Sequence, residues 1–94
     1  MLRGVIQRIR QKVHDEALSI STHAQDEMAD DDLDVFDVEN AILTGHIERV
    51  EKDDPRGTRY VVIGTALDGE RQLATVGRFI EDGRYRIITV YELD

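Results

Sequence analysis

The residues of this chain with the clearest potential for chemistry are two arginines, a glutamine and a tyrosine: Arg59, Arg78, Gln72 and Tyr91. An arginine guanidinium donates paired hydrogen bonds to phosphate oxygens, and a tyrosine can stack on a base or relay a proton. RNA cleavage by the 2′-hydroxyl needs a group that removes the 2′ proton, a cation beside the phosphate and a proton donor for the leaving oxygen. Two plainer alternatives stay open at this point: Arg59 pairs with Glu51 across the preceding hairpin, and Tyr91 belongs to the core.

Two predicted hairpin turns bring these side chains to one face of a sheet. Asp68-Gly69 and Asp82-Gly83 separate runs of β-branched and aromatic residues, and Asp-Gly favours a two-residue type I′ turn. Antiparallel strands are therefore expected near residues 59–67, 70–81 and 84–93. Tight turns would set Arg59 opposite Arg78 and Arg78 opposite Ile87, and directly opposite side chains share a face. The other face, rich in apolar residues, is expected to pack against helices.

His23 has two open interpretations. It falls in the first turn of a predicted short helix, where a histidine can simply pack and bond near the helix cap. It could also act as a general acid or base or contact a phosphate, because helix amino termini favour anions and imidazole titrates near neutrality.

The sequence predicts no metal site and no cofactor. It has no cysteine, and its three histidines are scattered. Asp30-x-Asp32-x-Asp34 has the opening spacing of a calcium loop, but Val35 stands where that loop needs glycine and Ala41 where it needs a glutamate.

The elements ahead of the hairpins are predicted to be mostly helical. Leu2, Ile6, Ile9 and Val13 form one apolar stripe on a first helix, expected to be buried on the sheet or against a second copy of the chain. Residues 18–21 could form a brief strand. A second helix is predicted over residues 23–29 with Thr22 as its cap, a third begins after Asp34, and a strand follows over residues 46–52. This order predicts an α+β fold in which amino-terminal helices pack on a four-stranded antiparallel sheet, with an extra short strand as an option.

Charge and length limit the class of protein. The 94 residues are expected to form one domain over residues 1–94, and the net charge of −8 argues against indiscriminate nucleic-acid binding. The charge is uneven: +4 over residues 1–14, −12 over residues 15–54 and zero over residues 55–94. No apolar run is long enough to span a membrane and no signal-peptide pattern is present, so a cytoplasmic protein without membrane partners is expected.

The chain resembles a widespread bacterial family of small uncharacterised proteins. The resemblance rests on Ser21-Thr22-His23-Ala24, Met28, Asp37-Val38, Ala41-Ile42, Gly45, Gly57-x-Arg59-Tyr60, Gly64, Asp68-Gly69 and Ile88-Thr89-Val90-Tyr91. It covers residues 18–93. That family looks like an offshoot of the RelE/ParE-like toxins, related to the BrnT-like and MqsR-like toxins.

The resemblance implies a metal-independent endoribonuclease that cleaves mRNA, the toxin of a type II toxin–antitoxin pair, inhibited by a small antitoxin protein. It points to His23, Arg59, Arg78 and Tyr91 as catalytic residues, and substrate contacts are expected from Gln72, Arg86 and Thr89. Glu27 replaces the basic residue that relatives usually carry before the methionine of the second helix, and such toxins are commonly basic. The alternative is therefore a non-catalytic interaction module that has kept the fold and binds a protein. Arginines that are paired with acids would favour the module, and a positive patch spanning Arg59, Arg78 and Arg86 would favour the enzyme.

Overall fold

Three helices pack on one face of a five-stranded mixed sheet. The computed structural model describes the backbone of residues 2–93 and the side chains of residues 4–93. The elements are α1 (Leu2–His14), β1 (Leu18–Ile20), α2 (Thr22–Asp30), α3 (Val35–Thr44), β2 (His46–Glu51), β3 (Arg59–Thr65), β4 (Gln72–Phe79) and β5 (Tyr85–Leu93). The sheet order is β1-β5-β4-β3-β2, in which β1 runs parallel to β5 and the other neighbours are antiparallel. The predicted α+β class is confirmed, and the optional short strand is present as β1.

Side-chain caps fix where α2 and α3 begin. Asp34 caps α3 as predicted, and its side chain accepts hydrogen bonds from the backbone N–H groups of Phe36 and Asp37. Asp37 completes a capping box by accepting from the Asp34 N–H. The predicted cap of α2 is wrong by one residue, because Ser21 rather than Thr22 accepts from the Ala24 N–H. Helix α2 ends at Asp30, where the acidic run begins, as expected from the helix dipole.

The core lies between the helices and the apolar face of the sheet. From α1, Ile6, Ile9 and Val13 are buried in the same cluster as Val62 and Ile87 of the sheet. The apolar stripe of α1 is therefore covered within the chain, whereas the side chain of Leu2 lies outside the described residues. Arg10 fastens α1 to the end of α3, because its guanidinium donates to the carbonyls of Ile42 and Gly45. Both acceptors lie where a helix leaves its last carbonyls without partners.

The β3–β4 hairpin has the predicted register. Tyr60 pairs with Gly77 and Thr65 with Gln72, which sets Arg59 beside Arg78 on the same face. The turn is not type I′, because Gly69 has a positive φ of 78° whereas Asp68 does not. The Asp68 side chain instead accepts from the N–H groups of Glu70 and Arg71, and the same strand register results.

The β4–β5 hairpin differs from the prediction by one residue at its turn. The Ile80 N–H donates to the Arg84 carbonyl, so the loop has three residues and ends on Gly83 at φ 88°. Arg78 consequently pairs with Arg86, and the predicted pairing with Ile87 is wrong. A β-bulge at Val76/Gly77 then restores the predicted register farther along.

This shift decides which side chains of β5 reach the core. Tyr85 and Ile87 are fully buried on the helix side, and Arg86 projects from the opposite face together with Arg78. The alternation of Tyr85, Arg86 and Ile87 explains the choice, since the predicted register would have buried the arginine and exposed the isoleucine.

Candidate functional site

The face of the sheet away from the helices, here called the open face, carries a cleft lined by arginines. The arginine cleft has a volume of about 290 Å³ and is lined by Ser21, Arg56, Arg78, Ile80, Arg86 and Ile88. Three parts of the chain form it: the start of α2, the loop between β2 and β3 (residues 52–58), and the ends of β4 and β5 that flank the last turn. The cleft exists because the register shift turned Arg86 toward Arg78.

Asp54 lies at the centre of the charges around this cleft. Its two carboxylate oxygens are each 3.4 Å from a terminal nitrogen of Arg78, a paired geometry. The side chains of both residues are at most one-tenth exposed. The backbone N–H of Arg56 donates to Asp54 at 2.8 Å, and the Arg56 guanidinium adds a contact at 3.3 Å. The N–H of Arg56, together with the Arg56 and Arg78 guanidiniums, lowers the pKa of Asp54 to about 2.

Arg59 is held by a second acid. One of its terminal nitrogens lies 2.7 Å from a Glu51 carboxylate oxygen, and its Nε lies 3.8 Å from Asp54 Oδ2. That Nε is buried and has no hydrogen-bond partner among the described residues. Hydrogen bonding from Arg49 and the nearby charge of Arg59 lower the pKa of Glu51. The pairing of Arg59 with Glu51, one of the alternatives left open by the sequence, is confirmed.

Arg86 differs from the other arginines of the cleft. Its side chain is exposed and makes no ion pair or hydrogen bond with any residue that the structure describes. It is the cleft guanidinium most available to a ligand.

His23 lies on α2, two residues after the Ser21 that lines the cleft. Its side chain is 67% exposed, and Nε2 is 3.3 Å from Glu27 Oε1. The same Glu27 oxygen accepts a hydrogen bond from the Val90 N–H, while the Ser21 hydroxyl donates to the Ile88 carbonyl. Through Glu27, the ring of His23 is therefore linked to the backbone of β5. It is not a packed core histidine.

The remaining predicted site residues lie farther along the open face. Tyr91 is 38% exposed and pairs with Ala74, four residues from Arg78 along β4, or about 13 Å at the rise of a strand. Gln72 is six residues from Arg78, about 20 Å, and donates to the Thr65 hydroxyl. Thr89 lies between, opposite Val76. The fold thus gathers Arg59, Arg78 and Arg86 at one end of the face and separates them from Tyr91 and Gln72.

The residues that the sequence analysis missed are Asp54, Arg56 and Ser21. Asp53-Asp54-Pro55-Arg56-Gly57 has the composition of a turn, with Asp, Pro and Gly together. The hydrogen bond from the Arg56 N–H to the Asp54 side chain is a local turn interaction, which Asp at the start of such a segment does favour. No local signal indicates that the same carboxylate reaches Arg78, 24 residues away.

Residues 2–93 contain no group of three or more histidine, cysteine, aspartate or glutamate side chains placed to hold a metal ion. Among the same residues, no helix is long and apolar enough to cross a membrane.

The fold and the cleft define a small α+β domain with an arginine-lined cleft on its open face. Comparison with protein families matches residues 20–92 to a domain of unknown function (DUF4258), and the chain belongs to this family. No curated protein and no solved structure matches the chain. Membership of an uncharacterised family is thereby confirmed, and the link to RelE/ParE-like toxins remains a prediction.

Proposed function

We propose that this protein is the toxin-like member of a type II toxin–antitoxin pair and cleaves RNA at the arginine cleft without a metal ion. The observation that carries the proposal is the gathering of Arg56, Arg78 and Arg86 around one cleft in a chain of net charge −8. In an acidic protein, a local cluster of guanidiniums concentrates anion binding at one place. Arg86 is free to meet a phosphate directly, and Arg56 is 78% exposed at the rim.

The proposed reaction uses the RNA's own nucleophile. The 2′ oxygen attacks the adjacent phosphorus, the bond to the 5′ oxygen breaks, and a 2′,3′-cyclic phosphate forms. The cleft arginines stabilise the charge that develops on the phosphate oxygens. His23 accepts the 2′ proton, with its ring oriented by Glu27, and the leaving 5′ oxygen takes a proton from water. Tyr91 lies too far along the open face to reach the same phosphate, so it is assigned to stacking on a neighbouring base.

The rest of the proposal follows from the resemblance. The protein would act in the cytoplasm as one domain over residues 1–94, and a small antitoxin protein would inhibit it. A homodimer of the chain remains a further prediction.

A second candidate function is the non-catalytic interaction module. It is favoured by one observation: Asp54 and Glu51 already pair with Arg78 and Arg59. Arginines neutralised in this way contribute less to phosphate binding and more to holding the loop on the sheet.

Arg86→Ala separates the two functions better than Arg78→Ala does. Arg78 is buried and paired, so its removal would leave Asp54 partly uncompensated and destabilise the fold. Arg86 is exposed and unpaired with described residues, so its loss should leave the melting temperature unchanged. The matched control is Arg84→Ala, an exposed arginine two residues away whose guanidinium donates to the Leu18 carbonyl.

The assay is growth on expression without a partner, together with cleavage of single-stranded RNA in vitro. Wild type and Arg84→Ala should slow growth and cleave, and Arg86→Ala should lose roughly 10²–10³ in rate, the usual cost of one charge-stabilising donor. Chelators should have no effect, and cleavage should fall steeply as salt rises. Harmless expression of the wild type with no cleavage at low salt would establish the interaction module instead.

A further inference from the structure

We infer that the Asp54 carboxylate occupies a site on the open face that binds oxyanions. The β2–β3 loop thus places one of the protein's own anions at the position where the phosphate of a ligand binds. The assignment of that phosphate to RNA rests on the proposed function, whereas the site itself rests on the geometry around Asp54.

The first support is the convergence of three guanidiniums on one carboxylate. Arg78 contacts both oxygens of Asp54 at 3.4 Å, Arg56 contacts Oδ1 at 3.3 Å, and Arg59 directs Nε toward Oδ2 from 3.8 Å. A single ion pair would be enough to stabilise the loop, so three converging guanidiniums are more than that role requires. Convergent arginines with paired geometry are the usual protein ligands of phosphate.

The second support is a donor that Asp54 does not satisfy. Arg59 Nε is buried without a hydrogen-bond partner among the described residues, and 3.8 Å to Asp54 is too long for a hydrogen bond. A buried donor without a partner is unfavourable. A phosphate group is larger than a carboxylate and carries its oxygens in a tetrahedron, so one group can accept from more donors than Asp54 does. The site therefore holds a donor, Arg59 Nε, that the group now occupying it does not satisfy.

The third support is the balance of charge. Among the described residues, the arginines at 56, 59 and 78 form ion pairs with Asp54 and Glu51 only, and Arg86 forms none. The arginines of the site therefore outnumber the acids that pair with them. A phosphodiester carries one negative charge, as the Asp54 carboxylate does, so replacing one by the other leaves the net charge of the site unchanged. Because the pKa of Asp54 is about 2, the carboxylate stays ionised near neutral pH. A competing anion therefore releases the β2–β3 loop from the arginines, and protonation of Asp54 does not.

The test compares Asp54→Asn with Asp53→Asn. Asp53 is the neighbouring acid of the same loop, is exposed and forms no ion pair or hydrogen bond with these arginines, so the control removes the same charge from the same segment. Thermal unfolding is measured with rising inorganic phosphate against chloride at equal ionic strength. Phosphate should raise the melting temperature of Asp54→Asn and leave wild type and Asp53→Asn close to their values in chloride.

A second readout is the affinity for a short single-stranded oligoribonucleotide. It should rise roughly tenfold to a hundredfold in Asp54→Asn relative to Asp53→Asn, the range that a charge-assisted hydrogen bond contributes. Asp54→Ser serves if the asparagine variant does not fold, because a serine hydroxyl can still accept from the Arg56 N–H.

The outcomes separate this inference from the proposed function. Phosphate binding by Asp54→Asn without any RNA cleavage supports the oxyanion site and contradicts the ribonuclease. Equal responses of the Asp54 and Asp53 variants overturn the inference. Unfolding of both Asp54 variants also overturns it, because a carboxylate that the fold requires cannot give way to a ligand.

Discussion

Tyr85 carries a polar group that the fold buries without satisfying. The residue is fully buried, and its hydroxyl has no hydrogen-bond partner among the described residues. Burial raises the pKa of this hydroxyl well above its usual value. The ring itself is well placed: it packs edge-on against Phe79 at 5.1 Å between centroids and lies directly over Gly77, where an added Cβ would be 2.5 Å from the ring atom Cε2. The ring stabilises the core and the oxygen does not.

Tyr85→Phe should therefore increase the free energy of unfolding. An unsatisfied buried polar group costs about 1–3 kcal/mol, and removal of the oxygen forfeits a few dispersion contacts worth about 0.1–0.2 kcal/mol each. The net gain expected is about 1 kcal/mol or more. For a domain of this size, each 1 kcal/mol raises the melting temperature by roughly 4–8 °C.

The assay is urea unfolding with a calorimetric melt, with Tyr60→Phe as the control. Tyr60 also packs edge-on against Phe79, at 6.1 Å, but it is only partly buried, so its hydroxyl can reach water. Tyr60→Phe should change the free energy of unfolding by less than about 0.5 kcal/mol. Loss of 1 kcal/mol or more in Tyr85→Phe, at an unchanged urea slope, would refute the reasoning and indicate that the hydroxyl is bonded, for example to an ordered water.

Three further predictions concern stability. Ile9→Ala should destabilise the domain by about 2–5 kcal/mol in urea unfolding, because Ile9 is fully buried, whereas Leu67→Ala, at a side chain 62% exposed, should stay within about 0.5 kcal/mol. Asp37→Ala should cost about 2 kcal/mol in the same assay, because the carboxylate closes the capping box of α3 and accepts from the Leu67 N–H; an unchanged midpoint would contradict this role. The pKa values of Asp54 and Asp68 are both about 2, below those of the unfolded chain, so their stabilisation is present above about pH 4 and is lost as pH falls toward 2; replacing both by Asn should flatten the acid limb of a melting-temperature profile.

The register of the last hairpin could not be predicted from local sequence signals. The Asp-Gly signals correctly located both turns, and the first register was confirmed, because a four-residue loop there pairs the strands as a two-residue turn would. At the second turn the same dipeptide ends a three-residue loop, and the register moves by one. Dipeptide preference does not distinguish these loop lengths. The burial of Tyr85 and Ile87 does distinguish them, because removing these two side chains from water contributes more free energy than the preferred two-residue turn.

The sequence by itself determined the class of fold, the stripe of α1, the Asp34 cap and the common face of Arg59 and Arg78. Each of these depends on periodicity or on contacts between near neighbours, which local spacing encodes. Only the tertiary structure decided that Arg86 joins that face and that Asp54, in the β2–β3 loop, reaches Arg78 on β4. These outcomes depend on a bulge and on a loop folding over the sheet. The free energy that selects them comes from burial and charge pairing between distant segments, which no window of sequence contains.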